Sequence, residues 1–126
     1  MITRAQVDEL EVLIGRFNGI HSEMGILAKK SPNDGVNAFK LRMINAVIED
    51  ANNLLGEAYK AIDGFNRFDA DDLPSNSDVT FVVAQYLEAI EKFRSDNVVM
   101  KAGIWVYSMS GDEPKVRTFI PAKLKR

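Results

Sequence analysis

The spacing of apolar residues changes at Asn97, and that change sets the fold class. From Val7 to Phe93 apolar side chains return every three or four positions; from Val98 to Ile120 they return nearly every second one. The first period lines one face of a helix and the second one face of a strand. The chain is therefore expected to be α+β and mainly α, a three-helix antiparallel bundle followed by a C-terminal two-stranded β-hairpin. A lone hairpin is marginal in water, so this one has to lie on the helices, pair with another chain, or both.

A length of 126 residues suits one domain, residues 1–126, with room for a real core. Helices are expected at about 3–30, 37–62 and 77–95, the hairpin at about 98–120 and a basic tail at 121–126. Thr3 with Gln6 forms a capping box that opens helix 1, Asn37 is an N-cap for helix 2, and Ser75 with Asp78, or Ser77 alone, caps helix 3. The stripe of helix 1 is Val7, Leu10, Leu13, Phe17, Ile20 and Met24. Gly15, Gly19 and Gly25 interrupt it, each costing about 0.8–1 kcal/mol against alanine. Two accounts fit them: a close approach of another backbone over Gly15 and Gly19, or a break at Asn18-Gly19. Helix 2 carries a broad stripe through Phe39, Met43, Ile44, Val47, Leu54, Leu55 and Ile62, and packs antiparallel to helix 1 across a short Ser31–Gly35 turn.

Residues 63–76 form the longest irregular stretch, and Phe65, Phe68 and Leu73 should pin it to the bundle. In the hairpin, residues 98–108 and 115–120 read as the two strands, joined by a loop over 109–114 around Gly111-Asp112; the tail beyond Pro121 is expected to be mobile.

The composition narrows the chemistry. Without cysteine there is no disulfide, thiolate metal site or cysteine nucleophile, and the single histidine, His21, leaves no multi-histidine site within one chain. His21 sits mid-helix beside Ser22 and Glu23, whose side chains point elsewhere, so no serine triad forms. Asp69 and Asp71 have the first spacings of a calcium loop, but Leu73, Pro74 and Thr80 occupy its next ligand, glycine and twelfth positions. Asp69, Asp71 and Asp72 are better read as a solvated loop at the head of helix 3, with an acidic patch for a partner as the alternative. Glu88 and Glu91, with Glu49 and Asp50 opposite, raise a magnesium-dependent phosphohydrolase, yet they fall off the apolar stripe, and Lys92 and Arg94 beside Glu91 suggest an ordinary charged surface. No catalytic, cofactor or metal residue is assigned, no cofactor is expected, and the chain is not read as an enzyme. The opening Met1-Ile2-Thr3-Arg4 is no signal peptide and no apolar run could span a bilayer, so a soluble cytoplasmic protein without a membrane role is expected.

What remains is association. Residues 61–78 hold five aspartates against Arg67, and residues 114–126 hold five bases and no acid. A two-stranded hairpin has two outer edges of unpaired backbone groups, open to a second copy or to a partner's strand. The chain is read as a small non-catalytic protein-interaction module of adaptor, immunity or assembly-factor type. Its expected partner is a protein or itself, as a homodimer through the hairpin, with Trp105, Tyr107, Lys115, Arg117 and Phe119 as contact residues. The second reading is a nucleic-acid-binding hairpin and tail, set against an acidic whole with a sequence pI near 5.4.

Overall fold

A computed structural model describes residues 1–111 and 113–123. It contains helices α1 (Arg4–Lys30), α2 (Ala38–Leu55) and α3 (Asn76–Asp96), then strands β1 (Val98–Lys101) and β2 (Ile104–Tyr107). The chain is thus mainly α with a small antiparallel sheet, three helices and then a hairpin.

Local chemistry fixes each helix start. The Thr3 hydroxyl accepts from the Gln6 amide while the Gln6 side chain accepts from the Thr3 amide, a reciprocal box. Asn37 caps α2 by accepting from Lys40, and Ser75 with Asp78 repeats the box on α3. α1 runs unbroken through Asn18-Gly19, because its buried face of Val7, Leu10, Leu13, Phe17 and Met24 stays in one line on either side of the glycines. Among the described residues nothing comes within 4 Å of the place a Cβ would occupy at Gly15 or Gly19, so no described backbone uses the space they leave.

α2 is shorter than its periodicity predicts, ending at Leu55 instead of running to residue 62. Gly56 adopts a positive φ of 61° and its amide bonds to the Asn52 carbonyl, closing the helix where only glycine turns cheaply. The chain then returns along the bundle through residues 56–75. Asn52 donates to the Asn66 carbonyl, and the Asn45 amide both donates to the Phe68 carbonyl and accepts from the Phe68 amide. Phe65 and Phe68 meet edge to face, 5.1 Å between centroids, and Phe68 is buried. Leu73 departs from expectation: it sits exposed at a positive φ of 50°, at the end of a single 3-10 turn over Ala70–Asp72. Pro74 takes the buried place in that stretch. This long return lets α2 and α3 start at the same end of the bundle, where the Asn76 side chain donates to the Ser31 carbonyl and Gly35 bridges Ser75. α1 runs antiparallel to both.

The hairpin also differs from its sequence pattern. The strand expected over 98–108 folds back on itself, pairing Val98 with Tyr107, Val99 with Val106, Met100 with Trp105 and Lys101 with Ile104. The turn is Ala102-Gly103, both at positive φ (50° and 80°), as a two-residue turn of the I′ kind requires. Residues 115–120 do not form the second strand. They pass along the far side of β2, meeting it at a single bridge between Val106 and Arg117. The core runs through all these pieces, with Phe17 stacked on Tyr86 at 5.5 Å and Val98 and Tyr107 adding the hairpin to it. Asp112, at the centre of the expected 109–114 loop, and Leu124, Lys125 and Arg126 of the expected mobile tail lie outside the described residues.

Candidate docking surface

The sheet has two outer edges with different surroundings. In an antiparallel pair, successive residues alternate between pointing their backbone groups at the partner strand and away from it. On β2, the outward pair is Trp105 and Tyr107: the Tyr107 amide donates to the Val116 carbonyl at 3.1 Å, and the Thr118 amide donates to the Trp105 carbonyl at 3.0 Å. The Ser108 amide donates inward, to the Asn97 carbonyl at 2.8 Å. The same alternation turns the groups of Val98 and Met100 on β1 away from β2, and among the described residues no further strand pairs with them. Met100 is 56% exposed there.

Arg94 holds the closing segment in place. It was expected on a charged surface, yet it is 0% exposed. Its five N–H groups all find acceptors: Nε and one Nη2 hydrogen meet the Glu91 carboxylate at 2.6 and 3.0 Å, Nη1 meets the Thr118 hydroxyl and the Phe119 carbonyl, both at 2.9 Å, and Nη2 also meets the Ile120 carbonyl at 3.0 Å. The Phe119 ring lies over the guanidinium, 3.7 Å from its carbon to the ring centre. The Lys123 side chain then reaches Glu88 at 2.7 Å. Spacing alone puts Arg94 beside charged neighbours on α3; only the path of the crossing segment, whose Thr118, Phe119 and Ile120 lie 24 to 26 positions further along, turns that face inward.

These contacts redistribute the expected site residues. Tyr107 is 2% exposed, its hydroxyl donating to Glu11 Oε1 at 2.6 Å, so its ring is structural and gives a partner no purchase. Burial, and then the hydrogen bond to Glu11, hold its phenol well above the usual range. Trp105 is half-buried and packs against the core. Lys115, Arg117 and Phe119 are exposed on the closing segment. Tyr59 is likewise raised, first by donating to Asp96 and then by burial.

The acids that suggested magnesium chemistry do not converge. Glu91 is committed to Arg94, Glu88 to Lys123 and Asp50 to Arg16 at 3.9 Å. Among the described residues no group of three His, Asp or Glu side chains is placed to hold a metal ion. Asp69 accepts from the Asp71 amide as the cap of the 3-10 turn, and Asp71 and Asp72 are exposed beside it. His21 is half-buried on α1. Among the described residues no helix is long and apolar enough to cross a membrane.

Sequence reasoning missed Arg94 and the groove between α1 and α2. That groove, of about 550 Å³, is lined by Gly15, Gly19, Ile20, Phe39, Met43 and Val47 among others. Its one sequence signal was the pair of glycines four residues apart. Compared with protein-family models, curated proteins and solved structures, the chain matches none of them.

Proposed function

We propose that this chain is a non-catalytic protein-interaction module that receives a partner's extended strand on the free edge of β1. The observation that carries it is the asymmetry of the sheet: residues 116–118 occupy the edge of β2, while Val98 and Met100 direct their backbone groups outward from β1. A strand added there gains backbone hydrogen bonds as well as side-chain contacts. Exposed Met100 offers it an apolar contact, and Lys101 favours an acidic residue nearby. The absence of cysteine fits a reducing compartment, and a cytoplasmic setting belongs to this proposal.

The test is affinity capture with the intact chain and with Met100→Pro. Proline at that place removes an outward N–H and leaves the β1–β2 ladder its own donors. Proteins held by the native chain and lost by the variant, with unchanged circular dichroism, are the expected result. Identical captures from both, or turnover of a metabolite by the purified chain, would count against it.

One observation favours a nucleic-acid role as the second reading. Lys115, Arg117 and Phe119 alternate along an extended segment and are all exposed, so they share a face. Binding to single-stranded DNA that weakens steeply with salt and is lost in Lys115→Glu/Arg117→Glu would select it.

A further inference from the structure

Among the described residues nothing packs into the space left by the interior glycines of α1. A Cβ at Gly15 or Gly19 would meet open space, so neither α2, α3 nor the hairpin requires them. Both lie instead along one wall of the α1–α2 groove, whose other wall carries Phe39 and Met43, 63% and 52% exposed. One face therefore presents a hollow and a projection side by side. The charges along the groove are already paired, Lys40 with Glu23 at 3.0 Å and Arg16 with Asp50 at 3.9 Å, and apolar residues lie between them.

We propose that this face joins two copies of the chain, α1 crossing the partner's α1 antiparallel with the two-fold axis at Gly19. The register follows from the outer stripe of α1. Asp8, Val12, Gly15, Gly19, Ile26 and Lys30 fall on one line of the helix, at steps of three, four or seven. Turned about Gly19, this line sets Gly19 against its own copy, Val12 against Ile26 and Asp8 against Lys30, each of the last two pairs occurring twice. Val12 and Ile26 are both exposed apolar residues, and Asp8 and Lys30 have opposite charge. A parallel crossing would set each charge against its own kind. The same turn places Glu23 opposite the partner's Gly15. Phe39 precedes Lys40, which bonds to Glu23, and lines the same groove, so the turn brings each Phe39 toward the hollow that the other copy's Gly15 leaves. A patch carrying both halves of its own complement is what a two-fold interface requires.

The extent is adequate. The overlap from Asp8 to Lys30 is about 35 Å long at the helical rise and two helices are roughly 20 Å wide. The face thus offers about 700 Å² per copy, near the ~800 Å² per partner of a stable interface. The residues placed in this contact all belong to α1 and α2, and none to the sheet, so the two surfaces are proposed as independent.

The chain lacks cysteine, which makes a direct test simple. Gly19→Cys places one thiol per copy on the proposed axis, within disulfide reach of its twin if the helices touch there. Analytical ultracentrifugation of the native chain should show a dimer, and mild oxidation of Gly19→Cys should link it covalently, with Asp63→Cys as an unlinked control. Phe39→Asp, at an exposed position that the fold does not need, should raise the dimer dissociation constant tenfold or more with unchanged helicity. Lys30→Asp should weaken the dimer, and adding Asp8→Lys should restore it. A chain that stays monomeric, a dimer indifferent to Phe39→Asp that fails to link through Gly19→Cys, or a dimer abolished by Met100→Pro would each overturn the proposal.

Discussion

Along β2 the outward backbone groups of Trp105 and Tyr107 bond to residues 116–118, whereas along β1 those of Val98 and Met100 meet no further strand among the described residues. The two edges belong to one hairpin of two four-residue strands and differ only in what passes beside them. The closed edge rests on a fully buried arginine, a costly group to bring out of water unless every donor is satisfied, as here. The open edge has no such device, only the exposed Met100 and the charge of Lys101 at its end. Exposed edges invite pairing with other chains. Among the described residues one edge is sealed and its neighbour is bare, and the proposed docking of a partner's strand on β1 rests on that asymmetry.

The largest break in that contrast is Arg94→Met. It strands the Glu91 carboxylate and the carbonyls of Phe119 and Ile120, and should lower the unfolding free energy by about 3–5 kcal/mol in a urea titration. It should also open the β2 edge, so that the Tyr107 and Thr118 amides exchange as fast as the outward Met100 amide of β1.

Tyr107→Phe acts on the same edge from beneath. Loss of the hydroxyl bond to Glu11 should cost about 1.5 kcal/mol, since the exposed carboxylate recovers water. The native phenol titrates above its ordinary 10.0 because burial and Glu11 favour the protonated form. The folded state therefore holds this proton when the unfolded state has released it, and stability is full below pH 10 and falls as the pH rises beyond it. Thermal melts from pH 8 to 11 should show the decline, shallower in Tyr107→Phe.

Why this contrast was only half legible in the sequence comes down to a few residues. The helices could be read because their starts are local: Thr3, Asn37 and Ser75 each satisfy amides within three residues. The end of α2 was equally local, in Gly56, but the apolar residues past it, Tyr59 and Ile62, continue to pack on the core and prolong the helical period. The hairpin turn was hidden by its chemistry. Ala-Gly lacks the asparagine or aspartate that marks a I′ turn, and alanine at a φ of 50° is strained. Arg94 and Tyr107 were misplaced for another reason: what buries them comes from 24 to 96 residues away. Exposure decided by distant chain has no local signature.

That turn gives a smaller test. Ala102→Asn relieves the left-handed strain and should add about 1 kcal/mol of stability without altering either edge. The smallest effect belongs to the open edge itself. Met100→Lys should change stability by less than about 0.5 kcal/mol, as an exposed site does, while weakening any strand docked on β1.

Amide-resolved hydrogen exchange on the isolated chain measures the difference between the edges most directly. The Tyr107 and Thr118 amides, each bonded across the closed edge, should be strongly protected, and the Met100 amide should exchange near the rate of an unstructured peptide. A Met100 amide as slow as that of Tyr107 would mean that β1 is already covered, and the docking role assigned to it would fail.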